Sequence, residues 1–496
     1  MKFRIPALLL ALLMAGSCFA CGSADQPEDT TASDTQTTAE PVSEGLKSGV
    51  PDDVKFEGET IRILNACYHD DWFTLLNVPE ATGDTVDDAV YNRNLAVMDK
   101  LGITIEFTDM SDTHNTYTAS KTFRQTVLAG DCEWDIMIGP QFRAVQLAVE
   151  DLFYNMIDAP YIDTEQPWWY ADYMKSVNIN DNLRYMLDGD LSLNFLFQTS
   201  AIYFNKDLME VYHGDPDFLY DEVLAGKWTF DRFRTLVTDV YDDVNGNQKV
   251  DYEDLHGWVS RPNSYTMYTL MMGGGSKVVE ETDNGWAITT DLERNIDLCE
   301  IMYQLVYETT GSYPDTEASR LDPFNDEFPR KFSEGTMLFH VGLIDTADRL
   351  REMEDSFGII PFPKFDEAQE SYKSPVQDQA DTASVPSTIK NIDLTAAVLE
   401  EMAYQGYMTM IPEFYNIALK VKYMRDTDDA AMQIIDIIHD TAFTEIGFVH
   451  NYNMNNLATI PRFMLADKQN NYASRWDKAL SAAQEKFANL MAFYNK

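Results

Sequence analysis

Apolar and polar positions along the chain repeat with two alternating periods. "TIRILNA" (60–66), "ITIEF" (103–107) and "WDIMIG" (134–139) read as strands. Between them, "DTVDDAVYNRNLAVMDKLG" sets Val86, Val90, Val97 and Leu101 on one helical face, and "TASKTFRQTVLAG" reads as a second helix. Strand, helix, strand, helix, strand implies a parallel, doubly wound sheet of the α/β class. Ligands of such sheets sit beyond the carboxyl ends of the strands, so the loops at 65–72 and 139–143 are expected at a binding site. Further along, "TFDRFRTLVTDVY" places Phe230, Phe233, Val237 and Val240 on one face of another helix.

The ends of the chain follow other rules. Lys2 and Arg4 precede the apolar run "PALLLALLMAG", too short to span a bilayer, followed by small residues and cysteine. Residues 1–20 are read as a lipoprotein-type signal peptide, with Cys21 or Cys18 as the lipidated residue. Residues 21–57 are rich in Thr, Ser, Asp, Glu and Pro with almost nothing to bury, and read as a disordered tether. Together these imply a body held on the extracellular face of the cytoplasmic membrane, touching it through its lipid anchor only.

Composition narrows the partners. The net charge of −45 repels nucleic acid, which is excluded as a ligand. The same charge, with few basic residues expected near a cleft, favours a neutral or weakly polar ligand. Hydrophobic residues make up 45% of the chain, ample for two packed cores. The body carries Cys67, Cys132 and Cys299 alone, which excludes a disulfide framework. Histidine spacing offers no zinc site, no G-x-S-x-G elbow occurs, and "GGGSK" (273–277) lacks phosphate-loop spacing and reads as a turn.

One dodecad is chemically loaded. "DVNGNQKVDYED" (243–254) places Asp243, Asn245, Asn247, Asp251 and Asp254 at positions 1, 3, 5, 9 and 12 of a calcium loop. Lys249 stands at position 7, where a backbone carbonyl suffices. Position 6 is Gln248 instead of glycine, and position 12 is aspartate instead of glutamate. With no second paired loop, calcium here is expected as a structural clip at the exit of the 229–241 helix.

The order of "WDIMIGPQFRAVQLAVEDLFYNM", "PYIDTEQPWW", "SAIYFNKDLMEVY" and "AGKWTFDRFRTLVTDV" resembles the extracellular solute-binding proteins of bacterial ABC importers, in the sugar-binding, family 1-like lipoprotein type. "EGTMLFHVG", "FGIIPFPKFDEAQESY", "DTASVPSTIK" and "PEFYNIALKVKYMRDTDDAAMQIIDII" extend the resemblance over residues 58–496. It implies a two-lobed periplasmic-binding-protein-like fold (type II) with an interlobe cleft and several chain crossings, near Ala201–Asn205, Thr336–Gly342 and Thr382–Pro386. Lobe one is expected at 58–200 and 342–382, and lobe two at 201–341 and 383–496. A monomeric receptor without catalysis, handing a saccharide to ABC permease subunits, follows from the same resemblance. The alternatives are an extracellular polysaccharide-degrading enzyme or a surface glycan sensor.

Sugars are held by ring stacking and by planar amides or carboxylates that bond hydroxyl pairs. Tyr68, His69, Asp70 and Trp72, after the first strand, are the leading candidates. Gln141, Asp190, His340 and Asp381 lie near strand ends or crossings and complete the expected site. Trp168, Trp169 and Trp228 read as packing residues.

Overall fold

The computed structural model describes residues 45–112, 117–180, 182–283, 285–317, 327–415 and 429–495. Cys18, Cys21 and most of the expected tether lie outside them, but its end, from Lys47, belongs to the body: Val50 is buried, and Gly49 N–H donates to Glu400 Oε1 at 2.8 Å. β1 (Thr60–Asn65), α1 (Thr85–Leu101), β2 (Thr104–Asp109), α2 (Thr118–Leu128) and β3 (Ile136–Pro140) follow each other as the periodicity requires, and α3 (Gln141–Ala148) leaves β3 directly. α1 starts where the Asp84 side chain accepts the Val86 N–H at 2.9 Å, and stops at Gly102, whose φ of 71° suits a residue without Cβ. β1 lies parallel to both β2 and β3, so the sheet runs β3-β1-β2, and Asp381–Ser384 adds an antiparallel fourth strand beside β3. Its core gathers Leu64, Phe123, Trp134, Met137, Ala144 and Phe153.

A second, mixed sheet begins at β4 (Ser200–Asn205), buried along its whole length. Met337–Leu343 and Phe357–Ile360 flank β4, both antiparallel to it. Beyond Met337–Leu343 come β6 (Leu255–Ser260) and the short β5 (Tyr241–Asp242). The helix Phe230–Val237, capped by Thr229, covers this sheet. Phe233 meets Trp258 and Phe339 at ring distances of 5.6 and 5.2 Å. Trp228 is fully buried and donates Nε1–H to the Pro361 carbonyl at 2.9 Å, tying the loop after Phe357–Ile360 to the helix start. Losing such a ring leaves a cavity that costs about 3–5 kcal/mol.

Two lobe boundaries differ from expectation. The segment 342–382 is expected in lobe one, yet its strand Phe357–Ile360 lies in the second sheet, where four buried residues close the free edge of β4. The segment from 383 is expected in lobe two, yet Asp381–Ser384 completes the first sheet and the helix Ile392–Gln405 packs on α1.

The sheets are joined by neighbouring crossings. Ile344 N–H donates to Thr199 O at 2.9 Å, and Gln377 N–H to Gln198 O at 2.9 Å. The crossings therefore sit at residues 198–200, 343–345 and 376–377, a few residues from the expected positions. Cys67, Cys132 and Cys299 are buried and unbridged. Among the described residues no helix is long and apolar enough to cross a membrane.

Candidate functional site

The crossings floor a cavity of about 280 Å³. Gln198 and Ser200 come from the first crossing, Leu343 and Asp345 from the second, and Gln377 and Gln379 from the third. The loop Asn263–Tyr265, the start of the helix Thr266–Gly273, Phe362 and Arg462 form the rest. Both side-chain atoms of the Gln198 amide and the Ser200 hydroxyl are buried without a hydrogen-bond partner. A buried polar group left unpaired costs about 1–3 kcal/mol, so a ligand that satisfies these atoms recovers that cost. Tyr265, 45% exposed, offers a ring at the edge. Burial pushes the Asp345 carboxyl up to about 6, with Arg349, at 3.9 Å, opposing the rise.

The expected aromatic loops do come together. Tyr68 of the loop after β1 meets Phe142, which stands in the first turn of α3 where a loop was expected, edge-on at 5.7 Å. His69 packs against Tyr68 at 4.6 Å and Trp72 at 4.5 Å. Tyr68 is buried, His69 and Trp72 are half-buried, and Asp70 is exposed. Trp72 lines a second cavity of about 370 Å³ together with Asp345, which also lines the hinge cavity. Gln141 is buried beside these loops; its side chain accepts the Tyr173 hydroxyl and its backbone N–H donates to Ala380 O at 2.8 Å. Asp381 faces Pro140 in the sheet register, and its N–H donates to Asn194 Oδ1 at 2.8 Å; burial raises its carboxyl to about 7.

The other two candidates lie elsewhere. Asp190 accepts the Tyr170 hydroxyl, and burial raises it to about 6, with His439 opposing. His340 is enclosed in the second sheet between Tyr203 and Phe332, at 5.9 and 6.0 Å, and burial lowers it to about 3. Neither residue lines the hinge cavity. Gln198, Ser200, Tyr265, Gln377 and Arg462, which do, escaped the sequence reading. "QTS" directly before an all-buried strand is a usable signal for the first pair. Arg462 has none, because it reaches the cavity from a distant helix.

The dodecad forms the turn of the β5–β6 hairpin, with no helix running into it. Asp243 accepts the N–H groups of Asn247 and Gln248 at 3.2 and 2.8 Å. Asp251 accepts the side-chain amides of Asn245 and Asn247 at 3.1 and 2.7 Å. Gln248 adopts φ 60°, the left-handed conformation that glycine supplies in calcium loops. Asp254 is buried; its Oδ2 accepts from Tyr241 and from Asp251 N–H, while its Oδ1 has no partner. Among the described residues no three His, Cys, Asp or Glu side chains gather at metal-binding distances. The donors fit calcium in part: Asp254 Oδ1 is free, but two amide N–H groups point at Asp251 and must turn away for an ion to enter.

No family model and no curated relative matches the sequence. Among solved structures, the chain is similar to the galacto-N-biose/lacto-N-biose I-binding protein of an ABC transporter from Bifidobacterium longum, complexed with lacto-N-biose. They share 12% identity and a TM-score of 0.57, over 89% of this chain and 99% of the other. The maltose-binding periplasmic protein of Listeria monocytogenes, with maltose, aligns at 13% identity and TM-score 0.56, over 87% and 98%. A cyclo/maltodextrin-binding protein with maltotetraose aligns at 11% and 0.55, over 89% and 97%. At these identities the likeness establishes the fold: residues 47–496 adopt the two-lobed α/β architecture of solute-binding proteins.

Proposed function

We propose that the protein is the saccharide-binding receptor of an ABC importer, handing its ligand to the permease without chemical change. The observation that carries this reading is the hinge cavity, where Gln198 and Ser200 present buried polar atoms without protein partners. A planar amide and a hydroxyl beside an exposed tyrosine ring suit a polyol with apolar C–H faces. The structural neighbours named above are sugar complexes, which supports the same class. Among the described residues lining the cavity, Asp345 is the one carboxylate, whereas glycoside hydrolysis needs two. Calorimetry with a panel of oligosaccharides, with product analysis alongside, tests the reading. Binding without product is expected; hydrolysis moves the assignment to an enzyme.

The cysteine-ended signal and polar tether support display on the outer face of the cytoplasmic membrane. Replacing both Cys18 and Cys21 by Ala is expected to release the protein into the medium. We also propose calcium as a structural clip in the 243–254 hairpin, supported by the free Asp254 Oδ1 and the preformed left-handed turn.

A further inference from the structure

Arg462 is out of place in a neutral sugar site. It lines the hinge cavity, with its guanidinium over the ring of Tyr265 at 4.4 Å and that of Phe463 at 5.0 Å. Neighbouring arginines are answered by acids: Arg261 pairs with Asp315 at 2.8 Å, and Arg349 with Asp345 at 3.9 Å. Arg462 makes no ion pair among the described residues, and its Nε is buried without a partner. Among the described residues Arg93 and Arg294 also lack an acid, but backbone carbonyls accept from both; the Arg462 Nε has no such partner.

The geometry also says which part of the group is available. Aromatic rings occupy the flat faces of a guanidinium, and its N–H bonds lie in the plane, so stacking leaves the edge for a planar acceptor. Carboxylates match that edge with two parallel hydrogen bonds. Asp345 shares the cavity, but its charge is engaged by Arg349 and its carboxyl hydrogen-bonds with Thr346 Oγ1 at 3.4 Å. We infer that the ligand is an acidic saccharide whose carboxylate, that of a uronic acid residue, docks on the in-plane edge of Arg462. This rests on the saccharide reading and replaces the neutral ligand that net charge alone suggested. Net charge describes the far field, while a stacked, unpaired arginine sets the local one.

The test uses pairs of oligosaccharides that differ only in the acid: oligomers of galacturonate, glucuronate and mannuronate, each beside its carboxyl-reduced alcohol. Calorimetry on the intact secreted protein should show one uronate favoured over its alcohol by about 10- to 150-fold, the range of a charge-assisted hydrogen bond. R462M should erase that preference, so that acid and alcohol bind alike, and R462K should restore only part of it, because an ammonium lacks the planar fork. An unchanged melting temperature in R462K shows that the loss is local even where R462M folds poorly. Equal binding of acid and alcohol in the wild type overturns the inference, as does a preference that survives in R462M. Tighter binding of a sulfated neutral oligosaccharide overturns the carboxylate assignment. Silence of both members of every pair removes the saccharide reading itself.

Discussion

The two aromatic-lined regions at the lobe junction have similar residues and differ in how fully their polar groups are paired. After β1 and at the start of α3, Tyr68, His69, Trp72 and Phe142 lean on one another, and the Gln141 side-chain carbonyl is engaged by Tyr173 while its Nε2 has no partner. In the hinge cavity, Gln198 and Ser200 hold buried polar atoms that nothing in the protein satisfies, and Arg462 lacks an acid. Aromatic proximity marks packing as readily as recognition. Unanswered polarity lining an open cavity is the sharper sign, because there a ligand can supply the partner.

This contrast breaks most visibly at Gln198. Its replacement by Ala removes two directed bonds to sugar hydroxyls and is expected to weaken saccharide binding by about 10- to 100-fold in calorimetry. Retained affinity would mean that the ligand sits elsewhere. Tyr265→Ala is expected to cost about 5- to 30-fold through lost stacking. By contrast, Trp72→Ala should change affinity by less than about 3-fold, since its cavity shares only Asp345 with the hinge. A larger loss at Trp72 than at Tyr265 would reverse the ranking of the two regions.

The acids on the first-sheet side add a pH dependence. Burial raises Asp188 to about 8 and Asp381 to about 7. A carboxyl whose folded pKa exceeds its unfolded value holds its proton longer when folded. Its stabilising contribution is complete below about pH 4 and lost as pH rises through the folded value. Melting temperature is therefore expected to fall between pH 5 and 8, and Asp188→Asn should flatten the upper part of that slope. A melting temperature that rises across this window would show that these carboxyls are ionised in the folded protein.

The smallest effect belongs to the hairpin. Calcium is expected to raise the melting temperature by a few degrees through mass action, and Asp243→Ala to remove that response while leaving the calcium-free protein little changed. Equal stabilisation of both proteins excludes the site.

The first sheet was legible because α1 and its flanking strands have periods that differ, 3.6 against 2, over long uninterrupted runs. Strand Phe357–Ile360 was legible as a strand but not as a partner of β4, because edge pairing depends on which edge is free. The cavity was least legible. Its residues come from six separate stretches, and the sign that singles them out is partnerless polar atoms gathered around one cavity, which a sequence does not write. His340 shows the converse: a histidine near a crossing looks functional until Tyr203 and Phe332 are seen to enclose it.

The late arrival of Asp381–Ser384 beside β3 has a consequence for synthesis. As the chain emerges, β1, β2 and β3 are complete early, yet one edge of β3 stays unpaired until the whole of the second sheet has been made. An open, apolar edge that waits so long is a site for wrong pairing, and non-local closure of this kind slows folding. Sheltering that edge until Asp381–Ser384 arrives is therefore a task that folding of this chain has to meet.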